Sequence, residues 1–343
     1  MSLSNPPSQK ELTSSSEALQ KVQASLENVL FGQEKLIESV LIGLVAKGHI
    51  LLEGLPGLGK TELVRSLGKT LGLEATRIQF TPDLLPGDIT GNPMIQEKDG
   101  ERTFVFQKGP LFGNLVLADE INRASPKTQA ALLEAMQESQ VTSMGERHEL
   151  PNPFFVLATQ NPIELEGTYP LPEAQLDRFL FKLHVQPGGA EVLQHIVEHR
   201  YLGEEAQVDQ ILQEGELTAI MERSKRIYLP EVVANLIARI VSGTQPGASE
   251  ASRHVKYGAS PRAAIGMAAA SRARALMRGR ENVDYDDVRA MAGAVLQHRL
   301  VLEYQAKLDG ETGVSVAEAI LAEIPNHADE LPPLVVERVS PDA

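Results

Sequence analysis

Between residues 49 and 185 the chain repeats one hydrophobic rhythm. Short strand-length runs lie at 49–53, 75–80, 115–118, 154–158 and 179–185, several of them apolar at almost every position. Between them, at 60–71 and 126–139, apolar residues recur every third or fourth place. Short, even apolar runs fit strands covered on both faces, and the wider spacing fits helices. Such strand–helix alternation predicts a parallel sheet between helices. Two stretches break the rhythm. Residues 81–111 carry Pro-Gly and Asp-Gly turn signals around Thr103-Phe104-Val105-Phe106, which predicts an insertion with a small β-hairpin. Residues 141–150 alternate around Met144-Gly145, which predicts a second hairpin.

Helical spacing also marks 18–29 and 34–46, while residues 1–16 are dominated by Ser, Pro and Gln and predict a disordered tail. After the linker Gln186-Pro187-Gly188-Gly189 the pattern becomes helical throughout, at 190–201, 217–227, 230–242, 261–278 and 285–300. Ser260-Pro261 reads as an N-cap followed by proline in the first turn, and Asp284 as the N-cap of the next helix. Ser315 and Glu318 have capping-box spacing for a last helix at 315–324. Residues 326–343 form an acidic, Pro-rich tail.

The chemistry enters where the first apolar run ends. Gly54-Leu55-Pro56-Gly57-Leu58-Gly59-Lys60-Thr61 is a complete G-x-x-x-x-G-K-[ST] phosphate loop, placed between a strand and a helix. Backbone N–H groups must curl around phosphate oxygens, so the loop needs residues without a Cβ at Gly54, Gly57 and Gly59. The helix N-terminus adds the positive end of its dipole. Lys60 offers a point charge to the β/γ-phosphates and Thr61 a hydroxyl to Mg²⁺. A second apolar run, Leu115-Val116-Leu117-Ala118, ends in Asp119-Glu120. There Asp119 can hold Mg²⁺ and Glu120 can polarise an attacking water. A third run ends at Thr159-Gln160-Asn161. Ligands of open α/β sheets sit off the carboxyl ends of strands, so Asn161 either orients the water or touches the γ-phosphate; the bland alternative is a turn residue before Pro162.

Bulk properties narrow the partners. A formal net charge of −14, an aromatic content of 4% and no Trp disfavour nucleic acid or an anionic membrane as the main target. With no Cys there are no disulfides or thiolate metal sites. The longest apolar stretch, 40–46, is too short to span a bilayer, and residues 1–16 contain no apolar signal core, so the expectation is a cytoplasmic protein without membrane insertion.

Taken in order, these motifs resemble an AAA+ ATPase. Residues 54–61 match Walker A, 115–120 match Walker B and Asn161 matches sensor 1. Leu176-Asp177-Arg178-Phe179 resembles the arginine-finger segment, and Ser260-Pro261-Arg262-Ala263 resembles sensor 2. The finer resemblance is to the MoxR family. It rests on Gly48-His49-Ile50-Leu51-Leu52-Glu53-Gly54, Ala118-Asp119-Glu120-Ile121-Asn122-Arg123-Ala124, Ala158-Thr159-Gln160-Asn161-Pro162 and residues 169–179. Many members of that family have Ala where this chain has Gly59.

The resemblance implies an α/β fold: an AAA+ P-loop core at 17–187, with its parallel β-sheet between helices, followed by an all-helical lid domain at 190–325. It implies ATP and Mg²⁺ as cofactors. Gly54, Pro56, Gly57, Leu58, Gly59, Lys60, Thr61 and Glu62 would bind nucleotide, Phe31, Gly32 and Gln33 would lie near the adenine, and Arg262 would contact the nucleotide from the lid. Arg178 would act on a neighbouring subunit's nucleotide, and Arg123 is a candidate second interface arginine. The two hairpins would face the pore of a ring, usually a hexamer. The implied function is ATP-driven remodelling or maturation of a protein client, often with a von Willebrand A-domain partner. The rival readings are a DNA-acting AAA+ motor and a nucleotide-dependent switch with negligible turnover.

Two further signals read as ordinary surface. His195-Ile196-Val197-Glu198-His199 matches the H-x-x-E-H pattern, yet no third ligand is identifiable and a solvated helix face accounts for it. Arg272, Arg274, Arg278 and Arg280 fan around a helix end, where dipole compensation and solvation account for them.

Overall fold

The computed structural model describes residues 6–55, 57–98, 101–161, 167–199, 201 and 207–325. Pro56 and the expected tail at 326–343 lie outside the described residues.

The first helix, α1 (Gln9–Glu27), corrects the expectation of disorder through residue 16. Its polar composition conceals a capping box: Ser8 Oγ accepts the Glu11 N–H, and the Glu11 carboxylate accepts the Ser8 N–H at 2.8 Å. Leu12, Leu19, Val22 and Leu26 form a buried stripe. The serines on that face are buried because they find partners. Ser16 Oγ donates to the Met277 carbonyl at 2.7 Å, and Ser15 Oγ accepts from Arg223 at 3.1 Å.

The chain continues through α2 (Glu34–Val45), β1 (Ile50–Glu53), α3 (Lys60–Leu71), β2 (Ala75–Gln79), α4 (Pro86–Thr90) and the antiparallel hairpin β3 (Gly91–Lys98) and β4 (Glu101–Lys108). Then come β5 (Leu115–Asp119), α5 (Pro126–Glu138), the hairpin β6 (Gln140–Ser143) and β7 (Glu146–Glu149), β8 (Phe155–Gln160), α6 (Glu173–Leu176) and β9 (Phe181–His184). Five strands form one sheet in the order β2-β5-β8-β1-β9, and every neighbouring pair is parallel.

The even apolar runs are explained by two-sided burial. Ile50, Leu52, Leu115, Leu117, Phe155 and Leu157 enter the core shared with α1, α2 and the lid. Leu51, Val116, Ala118, Val156 and Ala158 enter a second core beneath α5. Each Val, Leu, Ile or Phe among them contributes roughly 1.5–3 kcal/mol on leaving water, so a one-residue slip of register would be costly.

The lid comprises α7 (Ala190–His199), α8 (Glu216–Lys225), α9 (Glu231–Gly243), α10 (Pro261–Met277), α11 (Tyr285–Leu296), α12 (Tyr304–Leu308) and α13 (Gly313–Glu323). It also contains a short antiparallel pair, β10 (Val255–Tyr257) and β11 (Val301–Leu302), that helical spacing gave no reason to expect. The last helix begins earlier than expected. Thr312 caps it and pairs with Ser315, so Ser315 is the third helical residue rather than the cap. Of the four arginines expected on a solvated face, Arg278 is exposed there, whereas Arg272, Arg274 and Arg280 are partly buried ties. Arg274 and Arg280 both reach the fully buried Asp287 at 2.6 Å, Arg272 donates to the Ile227 carbonyl at 3.1 Å, and Arg278 pairs with Glu38 at 2.7 Å.

Candidate nucleotide site

At β1, the sheet's order reverses: β8 lies on one side and β9 on the other. The phosphate loop leaves the carboxyl end of β1 at this switch point, the usual ligand position in open α/β sheets. Gly57 and Gly59 hold φ of +82° and +77°, left-handed values that favour glycine. A Cβ on Gly59 would also lie 2.8 Å from Leu30. Gly59 is the N-cap of α3, so that helix's first N–H groups point into the loop.

A cavity of about 390 Å³ opens here, lined by Gly54, Gly57, Gly59, Lys60, Thr61, Glu62, Arg77, Gln79, Asp119, Glu120 and Asn161. Lys60 Nζ donates to the Gly54 carbonyl at 2.6 Å, inside the curl of the loop. Partial burial lowers the Lys60 pKa, while Asp119 and Glu120 pull it back up. Asp119 accepts from Thr159 Oγ1 at 2.6 Å on one oxygen and from Arg77 Nη2 at 2.6 Å on the other. The Glu120 carboxylate accepts from Gln79 at 2.9 Å and from Arg123 at 3.0 Å. Its backbone is left-handed at φ 56°, and its N–H is taken by Thr159 Oγ1 at 2.8 Å. Asn161 is buried at the carboxyl end of β8.

Three of these groups escaped the sequence reading. Arg77 and Gln79 alternate along β2, and Gln79 stands opposite Asp119 in the strand register. Thr159 ties Asp119 and Glu120 together from β8. The polar i, i+2 spacing of Arg77 and Gln79 at the carboxyl end of β2 was the available signal for the first two.

Phe31, Gly32 and Gln33, expected near an adenine rather than at the phosphates, pack against α7 and the linker. Phe31 meets the His195 ring edge-on at 4.1 Å, a Cβ on Gly32 would lie 2.6 Å from Val192, and Gln33 donates to the Gln186 carbonyl at 3.1 Å. Leu58 packs partly buried against the core. The His195, Glu198 and His199 side chains are exposed on α7, as expected of a solvated helix face, with potential ligand atoms within 4.8 Å of one another.

Arg262 does not line the phosphate cavity of its own chain. With Arg178 it lines a second cavity of about 330 Å³, together with Gly48, His49, Met136, Asp177 and Arg299. This cavity lies at the amino ends of β1 and β9, where the Leu180 N–H donates to the His49 carbonyl at 2.7 Å. Arg178 Nη1 donates to the Leu133 carbonyl of α5 at 2.7 Å, and Arg262 Nη1 lies 3.8 Å from Asp177. His49 fixes this end of α5. Its Nδ1 accepts the Val156 N–H at 3.0 Å, and its Nε2–H donates to the Met136 carbonyl at 3.1 Å. Burial lowers its pKa to about 4, so the ring is neutral.

Residues 49–181 match the model of the AAA family, the ATPases associated with various cellular activities, and residues 247–323 match that of the AAA lid domain. The chain is 43% identical over 309 residues to "Chaperone MoxR1" of Mycobacterium tuberculosis, covering 89% of this chain and 81% of that one. The chain belongs to the MoxR family of AAA+ ATPases. "Uncharacterized protein YeaC" of Bacillus subtilis is likewise 43% identical, covering 89% of this chain and 92% of that one. "Protein MoxR" of Paracoccus denitrificans is 31% identical, covering 82% and 87%. A crystal structure of a candidate ATPase from Cytophaga hutchinsonii superposes with a TM-score of 0.85 at 38% identity, covering 92% of this chain and 97% of that one. The MoxR-family fold is therefore an AAA+ α/β domain followed by a helical lid. Among the described residues no helix is long and apolar enough to cross a membrane.

Proposed function

We propose that the chain is a Mg²⁺-dependent ATPase whose active site is completed by a second copy of itself in a ring. One observation carries the reading. The phosphate cavity lies at the carboxyl ends of the strands, whereas Arg178 and Arg262 share a cavity at the amino ends. The four residues of β1 span roughly 13 Å from one end of the strand to the other. Both arginines thus face away from their own phosphate loop, on a side that a neighbouring copy can approach.

The residues at the loop suit the group expected there. The glycine curl and the α3 N-terminus present backbone donors, and Lys60 sits inside the curl where a phosphate oxygen would replace the Gly54 carbonyl as its partner. Thr61 and Asp119 would hold Mg²⁺, which neutralises phosphate charge. Glu120, steered by Gln79 and Arg123, polarises the attacking water. Asn161 orients that water or the γ-phosphate. This role makes Arg123 a partner of Glu120 within one chain. Arg178, supplied by the neighbour, offsets transition-state charge, a contribution worth about 10³–10⁵ in turnover. Family membership further supports a cytoplasmic remodelling or maturation role on a protein client, with a von Willebrand A-domain partner.

Glu120→Gln should bind ATP normally and hydrolyse it very slowly; wild-type turnover would remove Glu120 from this role. Arg178→Ala should lose turnover but keep binding, and mixing it with Lys60→Ala subunits should restore activity. No recovery at any mixing ratio would refute completion in trans. Affinity capture with Glu120→Gln in ATP, followed by mass spectrometry, tests the client and its partner.

A further inference from the structure

Three consecutive lid residues just past α11 reach one stretch of the core. The Gln297 amide donates to the Lys182 carbonyl, and His298 Nε2 donates to the Phe179 carbonyl at 3.0 Å. Arg299 goes further. Its Nε donates to Asp177 Oδ1 at 2.7 Å, and its Nη2 to the Asp177 carbonyl at 3.1 Å and the Phe179 carbonyl at 2.6 Å. Its Nη1 donates to the Leu180 carbonyl at 3.1 Å and to the Val295 carbonyl of α11. A guanidinium carries five N–H donors, and all of them are engaged. The residue is only 8% exposed.

Desolvating a cation is costly, and apolar packing could join two domains without that cost. What apolar packing cannot do is fix three backbone carbonyls and a carboxylate at set positions. Those acceptors bracket Arg178, on the approach to the end strand of the sheet. The other Asp177 oxygen accepts from Ser260 Oγ at 3.1 Å, and Ser260 is the N-cap of α10, which carries Arg262 in its first turn. Asp177 therefore joins the Arg178 segment, Arg299 and the Arg262 helix at one point.

We propose that Arg299 is a positioning residue that locks residues 177–180 to the lid, so that Arg178 and Arg262 move as one unit and are presented together to the neighbouring copy. The inference rests on completion of the site in trans. It couples lid docking to arginine presentation, so that a change in how the lid sits on residues 177–180 changes how both arginines are presented.

Arg299→Lys keeps the charge but loses the fork. It should leave the affinity for a fluorescent ATP analogue within about twofold, since its own phosphate loop is untouched, while kcat falls on the order of 10²-fold through misplacement. Mixing it with Lys60→Ala subunits should restore turnover, because those subunits carry an intact clamp and the Arg299→Lys subunits an intact pocket. Asp177→Asn should behave alike, and decides the matter if Arg299→Lys does not fold. Wild-type turnover in the folded variant, or a defect that mixing does not repair, overturns the proposal. Arg178→Ala, measured in parallel, separates the two ideas: if it hydrolyses normally, the in-trans reading fails first; if it is inactive while the clamp variants are normal, only the clamp fails.

Discussion

Replacing His49 with Gln tests how the arginine end of the core is built. His49 is enclosed on both ring nitrogens, although one edge faces the neighbouring cavity. Its pKa is pushed from 6.5 to about 4 by burial. A lowered histidine pKa means that the unfolded chain binds a proton the folded protein refuses. The stability it supports is therefore complete above pH 6.5 and is lost as pH falls toward 4. At 1.36 kcal/mol per pH unit, the gap from 6.5 to about 4 sets a ceiling of about 3.4 kcal/mol. Linkage places about 1.3 kcal/mol of that loss between pH 7.5 and 5.5, a range above the sequence isoelectric point of 5.1. Gln does not titrate and cannot reach both Val156 and Met136, so His49→Gln should be less stable at pH 7.5 by about 1–3 kcal/mol. Urea unfolding of both proteins at several pH values provides the test. The stability gap should narrow by about 1.3 kcal/mol on going to pH 5.5. The buried His298, whose pKa is also lowered, is common to both proteins and cancels. A gap that stays constant across that range would refute the neutral, enclosed histidine.

Arg77→Met removes the cation that shares Asp119 with any metal ion; the Mg²⁺ concentration giving half-maximal turnover should fall, and a rise would mean that Arg77 orients Asp119 instead. Leu12→Ala should cost about 2–5 kcal/mol in urea unfolding, because Leu12 is 1% exposed inside α1; a negligible cost would return residues 9–16 to a loose tail. Gly48→Ala would bring a Cβ to 2.3 Å from the Leu180 side chain, an overpacking cost of about 1–3 kcal/mol that Leu180→Ala in the same chain should partly relieve.

The sequence by itself determined the five-stranded parallel sheet, the phosphate loop and the two carboxylates that face it. Each is encoded locally: an even apolar run means two covered faces, and a glycine-rich turn between strand and helix needs no distant partner to be recognised. Tertiary structure decided the rest. The serines of α1 read as disorder until Met277 and Arg223 are seen to satisfy them. Arg77, Gln79 and Thr159 joined the site only through strand register, which sets residues 40 positions apart side by side. The arginines were legible as residue types but not as a location. Whether Arg262 meets its own phosphate loop or stands with Arg178 at the other end of the sheet depends on how the lid docks, and that is fixed by Asp177, Ser260 and Arg299, groups far apart in the chain. Local pattern specifies elements and loops because their interactions lie within a few residues; the placement of one domain against another rests on long-range contacts, apolar in the shared core and polar around Asp177, that leave no periodic trace.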